Sequence, residues 1–206
     1  MKYMKDKIEI ESFVKPPILT AKDLLGRTLS TRINDQITSG IIVETELYRG
    51  GKRDSASHAH YYKNTDRTKI MFEEGGYCYI YLIYGMYYQL CITSSRKGEP
   101  DAILIRALDP KEGVDIMQKR RGLINNLTNG PGRLTQALGI DKSLYGEKIN
   151  GDNIWISKEK IPVGEIVKTT RIGIGYASYY AQSLKWRFYI KKSPFISKKG
   201  DISRNK

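Results

Sequence analysis

The clearest pattern of hydrophobic and polar positions lies in residues 41–48, Ile-Ile-Val-Glu-Thr-Glu-Leu-Tyr. β-Branched residues dominate this stretch, and that composition is typical of a β-strand. Because side chains alternate between the two faces of a strand, Glu44, Glu46 and Tyr48 are predicted to share one face. By the same alternation Ile42 belongs to that face. A carboxylate is costly to bury without a partner or a function, so the strand by itself indicates a solvated face.

Other stretches of similar length predict further strands. In residues 77–83, Tyr-Cys-Tyr-Ile-Tyr-Leu-Ile, alternation places Tyr77, Tyr79 and Tyr81 on one face and packs the apolar residues on the other. Residues 84–86, Tyr-Gly-Met, interrupt this pattern and predict a hairpin with aromatic residues near its tip. The remaining strand candidates are residues 28–33, 87–93, 102–108, 154–157, 166–174 and 187–190.

Three short helices are predicted from capping and turn residues. Residues 20–25 form the first, with Thr20 as its N-cap. Residues 110–121 form the second, which Pro110 opens. A Gly-Pro-Gly loop leads into the third helix, which Gly139 ends.

The order of these elements predicts one domain, because no internal repeat and no linker divides the chain. Residues 1–19 are expected to be a loosely ordered lead-in, broken by two prolines. The polar residues 49–69 carry both histidines of the chain and are interpreted as a long functional loop, since structureless loops of that length are otherwise uncommon. The domain itself is predicted to span residues 20–197, and residues 198–206 form a basic tail.

Composition adds a charge asymmetry to this picture. The 206 residues include 35 Lys and Arg against 22 Asp and Glu, a formal net charge of +13 that favours a polyanionic partner. Nucleic acid is the first candidate for this partner and an anionic membrane is the second, because the 15 tyrosines suit stacking on bases. No apolar stretch reaches the length of a membrane span, and no signal core follows the basic N-terminus. We therefore expect a cytoplasmic protein, associated with the nucleoid in a bacterium, or a nuclear one in a eukaryote.

Three groups of residues could carry chemistry. Arg106, embedded in an apolar strand, needs a carboxylate or phosphate partner, and a structural salt bridge with Asp109 or a glutamate is the alternative. Residues 129–133, Asn-Gly-Pro-Gly-Arg, could cradle a phosphate at a helix start, although Gly-Pro-Gly is more often a simple turn. His58 and His60 have no cysteine or carboxylate cluster at ligand spacing, so no metal site is predicted. A nucleophile elbow, a P-loop and a dinucleotide fingerprint are all absent from the sequence.

Taken together, these segments resemble the alkyladenine (3-methyladenine) DNA glycosylase family of base-excision repair, in its mammalian type. The resemblance runs from about residue 20 to residue 197, with the matching segments in sequential order. Those segments are residues 21–26, 43–48, 54–58, 71–72, 79–87, 104–108, 127–132, 171–175 and 187–190.

The resemblance implies a fold and a mode of binding. The expected fold is α/β (α+β), a single domain with a curved antiparallel β-sheet, peripheral helices and a protruding hairpin that enters DNA. The expected partner is double-stranded DNA containing a damaged purine, and the protein is expected to act as a monomer without a cofactor. The damaged nucleotide would be flipped out of the duplex by the hairpin.

It also implies roles for residues around a base pocket. Glu46 would be the general base and Glu44 a bystander, a choice that periodicity leaves open. Tyr48 would stack on one face of the flipped base. His58 and Tyr81 would lie against the other face.

Further roles concern the water and the DNA. Arg106, with the backbone carbonyl of Ile172, would help to hold the attacking water. Tyr84 would fill the gap left in the DNA helix, and Arg133 would contact a phosphate where the family usually has lysine.

The residue types agree with this chemistry. Breaking an N-glycosidic bond develops oxocarbenium character on the sugar, and a carboxylate can stabilise that charge and accept a proton from water. No lysine lies in a motif that indicates Schiff-base chemistry, so hydrolysis to an abasic site is expected. The expected lesions are 3-methyladenine, 7-methylguanine, hypoxanthine and ethenoadenine. The alternative is a non-catalytic nucleic-acid-binding module, since a related fold serves as an RNA-contacting part of formyltransferases.

Two positions depart from the family pattern. Cys91 stands where the family often has an asparagine that is thought to exclude guanine by crowding its 2-amino group. Thr68 stands where the family pattern of the long loop tends to have asparagine. The first departure concerns base selectivity, and the second concerns the geometry of the loop.

Overall fold

An eight-stranded antiparallel β-sheet organises residues 6–198, the part of the chain that this computed structural model describes. The strands are β1 Arg27–Ile33, β2 Gln36–Tyr48, β3 Cys78–Ile83, β4 Tyr87–Ser94, β5 Asp101–Glu112, β6 Ile154–Lys160, β7 Ile166–Thr169 and β8 Arg187–Ile190. The α-helices are α1 Pro17–Asp23, α2 Val114–Arg121, α3 Pro131–Leu138 and α4 Tyr179–Ser183. Short 3₁₀ helices span Ile10–Phe13, Lys69–Phe72 and Lys142–Leu144. The predicted mixed fold, one domain built on an antiparallel sheet with peripheral helices, is confirmed.

Strand β2 lies at the centre of this sheet. The main path of neighbouring strands is β3-β4-β5-β2-β1-β6, and β8 pairs with both β2 and β7. The first half of β2 pairs with β1 through a tight turn, in which Asn34 and Asp35 both adopt positive φ angles. Its second half lies between β5 and β8. The carboxylates of β2 are therefore surrounded by backbone and side chains of two neighbouring strands.

A β-bulge reverses the side-chain alternation in the middle of β2. The register against β5 shifts between Ile42 and Glu44, and again between Glu44 and Thr45. A bulge adds a residue to one strand, so side chains before and after it no longer follow one alternation. Ile42 and Leu47 therefore both pack in the main hydrophobic core. The prediction that Ile42 shares a face with the two glutamates is wrong.

The two faces of the sheet carry different layers. Helices α1, α2 and α3 cover one face and contribute Ala21, Met117 and Leu138 to the main core. On the other face, Met71 and the loop between β2 and β3 pack against Tyr79 and neighbouring residues of β4 and β5. Alternation along β3 sends its tyrosines to this second layer, as the sequence predicted.

The N-terminal residues are more ordered than predicted. Ile8 and Phe13 are both buried in the main core, so the prediction of a loosely ordered lead-in is wrong for residues 6–19. Burial of two large apolar side chains outweighs the chain-breaking effect of the two prolines. Residues 1–5 and 199–206, which include most of the predicted basic tail, lie outside the described residues.

Two predicted helix starts are also wrong. Helix α1 begins at Pro17, and Thr20 lies inside it. Proline is favoured in the first turn because its fixed φ angle suits the helix and its missing N–H is not needed there. Pro110 lies within β5, and α2 begins only at Val114. Gly113, with a φ of 69°, makes the turn between them.

The predicted strand over residues 166–174 is too long. Strand β7 ends at Thr169, and the chain then leaves the sheet because Arg171 makes a buried ion pair with Asp54. The other strands form at the predicted places. Within residues 6–198, no helix is long and apolar enough to cross a membrane.

Candidate active site

A cavity of about 360 Å³ opens between the long loop and the face of the sheet that β3, β4 and β5 form. Its lining is mostly aromatic and aliphatic with few charged groups, as is common for ligand pockets. The structure brings seven of the predicted site residues together in this lining. They are Tyr48, His58, Tyr81, Tyr84, Cys91, Arg106 and Ile172.

Glu46 lies fully buried behind the lining, where three of the lining residues hold its carboxylate. The backbone N–H of Ile172 donates to Oε1 at 2.8 Å. The hydroxyl of Tyr48 donates to Oε2 at 2.8 Å, and Nη1 of Arg106 donates to the same oxygen at 3.2 Å. An ionised carboxylate has about four acceptor positions. Donors among the described residues occupy three of them, and the fourth, on Oε1, has no donor among those residues.

Glu44 occupies a different environment on the side of the C-terminal segment. Arg187 donates to its Oε1 at 2.6 Å, and Nε of Arg106 donates to the same oxygen at 3.2 Å. The N–H and hydroxyl of Ser197 complete the shell at 2.6 and 2.9 Å. Of these partners, only Arg106 lines the cavity.

Arg106 therefore connects the two carboxylates. It pairs with Glu44 and Glu46, whereas Asp109 forms an ion pair with Lys111. Of the carboxylate partners that the sequence left open for Arg106, the structure shows glutamates and not Asp109. With Arg187, the cluster contains two positive and two negative side chains, which is how buried charges avoid a large desolvation cost.

Tyr48 forms one wall of the cavity and is held from behind. The guanidinium carbon of Arg171 lies 4.7 Å from the centroid of its ring, a cation–π contact. Arg171 in turn donates to both oxygens of Asp54, at 2.6 and 2.7 Å. Burial, with the charge of Glu46, raises the pKa of the Tyr48 phenol well above its ordinary value. The phenol therefore stays protonated and acts as a donor to Glu46.

His58 and two tyrosines form another wall. The rings of His58 and Tyr81 meet edge-on with centroids 4.7 Å apart, and Nδ1 of His58 lies 2.7 Å from the hydroxyl of Tyr79. The hydroxyl of Tyr81 donates to Oε1 of Gln89 at 2.7 Å. Burial and the nearby charge of Arg67 lower the pKa of His58 to about 4. His58 is therefore uncharged at neutral pH.

Cys91 lies in the floor of the cavity, opposite Tyr79 on β3 and Leu104 on β5. Its side chain is buried, and burial raises the pKa of the thiol. The group is therefore a protonated thiol, which is a weak hydrogen-bonding group.

The predicted hairpin between β3 and β4 forms, and it lies at the mouth of the cavity. Tyr84 at its tip is 81% exposed and Met86 is 66% exposed. Tyr84 and Gly85 have φ angles of 53° and 70°, which are typical of a tight turn between antiparallel strands. Large apolar side chains are costly to leave in water, so their exposure at a tip favours a contact with a partner.

Arg133 lies beside this hairpin at the start of α3. Its Nη1 donates to Oδ1 of Asn129 at 2.9 Å, and the side chain is exposed. A Cβ at Gly132 would lie 3.0 Å from the Cβ of Tyr87, so α3 approaches the hairpin closely. A surface groove continues from Tyr84 past Arg133.

Known proteins are similar to this chain over most of its length. The family model for methylpurine-DNA glycosylases (MPG) matches residues 11–194. A protein of Clostridium novyi (strain NT), provisionally named a 3-methyladenine DNA glycosylase, is 44% identical over 203 residues, covering 94% of this chain and 99% of its own length. The chain belongs to the methylpurine-DNA glycosylase family. Relatives with the same provisional name in Alkaliphilus oremlandii and Chlamydia felis are 41% and 45% identical, covering 94% and 85% of this chain and 100% and 92% of their own lengths.

In this methylpurine-DNA glycosylase family member, Thr68 keeps the long loop compact. Its hydroxyl accepts from the N–H of Thr65 at 2.9 Å and donates to the carbonyl of Lys63 at 2.8 Å. The side chain is 3% exposed. Threonine at this position therefore closes a turn of the loop with its own hydrogen bonds.

Several site residues were not singled out from the sequence. Arg67, Tyr79 and Tyr176 line the cavity, and the Asp54–Arg171 pair fixes its rim. Asp54 and Arg171 lie in segments that match the family, which was the available signal. Nothing in the local pattern around Tyr176 indicates that it would reach the cavity. Within residues 6–198, no group of three or more His, Cys, Asp and Glu is arranged to hold a metal ion.

Proposed function

We propose that this protein is a DNA repair glycosylase that removes alkylated or deaminated purines from duplex DNA by hydrolysis. The lesions are 3-methyladenine, 7-methylguanine, hypoxanthine and ethenoadenine. The reaction leaves an abasic site. In this proposal Glu46 is the general base, and Arg106 with the backbone carbonyl of Ile172 orients the water.

The observation that carries the proposal is the buried carboxylate of Glu46 behind the wall of an aromatic cavity. Three hydrogen bonds from Tyr48, Arg106 and Ile172 hold it in one orientation. A fixed carboxylate with a free acceptor position is suited to take a proton from a water as the water attacks C1′ of the sugar. Its negative charge also stabilises the oxocarbenium character of the sugar at the same moment.

The contacts of Glu44 favour Glu46 as the base. Glu44 accepts four hydrogen bonds, three on Oε1 and one on Oε2, from Arg106, Arg187 and Ser197, and of these partners only Arg106 lines the cavity. We assign Glu44 the role of a counter-charge that holds Arg106 beside Glu46. Arg106 then faces the cavity with its position set by both carboxylates.

The walls of the cavity suit a flat base. Tyr48 offers one ring face, since Arg171 lies 4.7 Å from its ring and fixes it. His58 and Tyr81 offer the opposing surface. Tyrosine rings are electron-rich, so they stack well on purines, including those that carry a positive charge.

Binding to duplex DNA follows from the charge and the hairpin. Insertion of Tyr84 would compensate part of the cost of unstacking the damaged nucleotide. Arg133 would contact a phosphate next to the hairpin, and the net charge of +13 would supply the remaining attraction. We expect a monomer that works on chromosomal DNA, which in a bacterium lies in the nucleoid.

The test is a cleavage assay on a labelled duplex with a single hypoxanthine. The glycosylase should produce one alkali-labile site at the lesion, whereas a non-catalytic binding module would shift the duplex in a gel and leave it intact. Glu46→Gln serves as the matched control, since it should bind the duplex and not convert it. Borohydride should trap no covalent complex, because hydrolysis forms no Schiff base. An intact duplex with the wild-type protein, or a trapped complex, would refute the proposal.

A further inference from the structure

Arg67 lies on the wall of the cavity among the aromatic residues. Its guanidinium carbon is 5.1 Å from the centroid of the Tyr81 ring. One of its terminal nitrogens lies 3.1 Å from Nε2 of His58. The side chain lines the cavity beside the two residues that would contact one face of a flipped base.

The charge of Arg67 is not balanced as the charges of the neighbouring arginines are. Arg106 pairs with two glutamates, and Arg171 pairs with Asp54. Among residues 6–198, no carboxylate lies within ion-pair distance of Arg67, which contacts the rings of His58 and Tyr81 and the phenol of Tyr79. A net positive charge therefore faces the place where a purine would leave.

The other side chains near Arg67 supply no second cation. Burial and Arg67 lower the pKa of His58 to about 4, so its imidazole is neutral at pH 7. Burial raises the pKa of Tyr81, so its phenol is neutral as well. His58 is thus a poor source of a proton for a departing base at neutral pH.

Lesions differ in the charge that they carry away. When the C1′–N9 bond breaks, its electron pair stays on N9, water supplies the oxygen to C1′, and Glu46 takes the proton of that water. A neutral purine such as hypoxanthine leaves as an anion, which later takes a proton from solvent. An N7-methylated purine begins as a cation and leaves neutral.

We propose that Arg67 is a specificity-determining residue, which stabilises the negative charge that develops on an uncharged purine as it leaves. Cationic lesions develop no such charge, so Arg67 does not accelerate their excision. The inference rests on the proposed glycosylase function and goes beyond it, because it assigns the excision of uncharged lesions to one side chain. A fixed cation near a developing charge acts mainly in the transition state.

The expected size of the effect of Arg67 on the excision rate follows from simple electrostatics. A unit charge several ångströms away, partly screened by water, changes a rate by about three- to tenfold. Arg67 is exposed, so substitutions there should leave the fold intact.

The experiment compares single-turnover excision of hypoxanthine and of 7-methylhypoxanthine at mildly acidic pH, where the methylated ring keeps its N1 proton, so that the two lesions share one ring system and differ in charge. Arg67→Gln and Arg67→Met remove the charge, and Arg67→Lys keeps it. Excision of hypoxanthine should fall about three- to tenfold in the two uncharged variants, and excision of the methylated lesion should change less than twofold. The lysine variant should keep the wild-type ratio of the two rates.

The possible outcomes distinguish a failure of the role proposed for Arg67 from a failure of the proposed function. Equal losses for both lesions, or no loss for hypoxanthine, would overturn the role of Arg67 and leave the glycosylase proposal intact. A loss in Arg67→Lys as large as in Arg67→Gln would also overturn it, since charge would then not be the cause. Wild-type protein that excises neither lesion would overturn both.

Discussion

Glu44 and Glu46, two residues apart on β2, bind the same guanidinium. Arg106 donates from Nε to Glu44 and from Nη1 to Glu46, at 3.2 Å in both cases. The two carboxylates nevertheless differ, because Glu44 is held by Arg187 and Ser197, whereas Glu46 is held by Tyr48 and Ile172 of the cavity wall. This difference separates a counter-charge from a candidate base.

Replacing Glu46 by Gln should lower single-turnover excision by about 100-fold or more, because the amide keeps the shape and cannot accept the proton. Affinity for a duplex with the lesion should change little. Glu44→Gln is the matched control, and its excision rate per folded molecule should fall much less. The opposite order of the two rates would show that Glu44 is the base.

Glu44→Gln should lower stability more than it lowers activity. It removes the negative partner of Arg187, which is fully buried, and breaking a buried ion pair costs about 3–5 kcal/mol. The melting temperature of Glu44→Gln should therefore fall by several degrees, compared with a small change for Glu165→Gln at the exposed Lys191–Glu165 pair. Equal melting temperatures for the two variants would contradict the assigned role.

Stability should also fall with acid through His58. Its pKa in the folded protein is about 4, below the ordinary value of 6.5, so between these values the unfolded chain binds the proton more readily. The stability that neutral His58 contributes is complete above pH 6.5 and is lost as the pH falls toward 4, with a total of about 3 kcal/mol. Thermal unfolding at pH 7.5 and pH 5 should show a smaller difference for His58→Gln than for wild type. An equal difference in His58→Gln and in the wild type would show that His58 is not the cause.

Removing the ring at the hairpin tip should impair base flipping. Tyr84→Ala leaves the vacated stack unfilled, so the flipped population and the affinity for lesion duplex should both decrease. Fluorescence of a reporter base next to the lesion measures this population. Tyr61→Ala, which removes an exposed ring from the long loop, is the control. An unchanged flipped population in Tyr84→Ala would give the hairpin tip another role.

Cys91 should widen the selectivity of the cavity. By resemblance to the family, an asparagine at this position is expected to crowd the 2-amino group of guanine, and a thiol is smaller and bonds weakly. Relief of such a clash is worth about 1–3 kcal/mol, so 7-methylguanine should be excised well relative to ethenoadenine, and Cys91→Asn should reverse the trend. Single-turnover rates for both lesions in both proteins measure this. Equal ratios would mean that another lining residue, such as Gln89, guards the cavity.

The sequence determined most strands, the hairpin and the family, because these depend on local composition and on short motifs. The strong alternation in residues 77–83 placed Tyr79 and Tyr81 correctly, since nothing interrupts the pleat of β3. The segments that resemble the family predicted that Tyr48, His58 and Arg106 lie at one site. The two prolines predicted a loosely ordered N-terminal segment, but burial of Phe13 in the core orders that segment.

The tertiary structure decided what depends on partners distant in the chain. The bulge in β2 moved Ile42 to the core, which only the register against β5 reveals. Glu44 and Glu46 became distinguishable through partners such as Arg187 and Ile172, more than 120 positions away. The unbalanced charge of Arg67 likewise depends on which side chains surround it. The spacing of residues in the sequence predicts on which face of a strand a side chain lies and where the chain turns. The electrostatic environment of a buried group is fixed only when distant segments pack together.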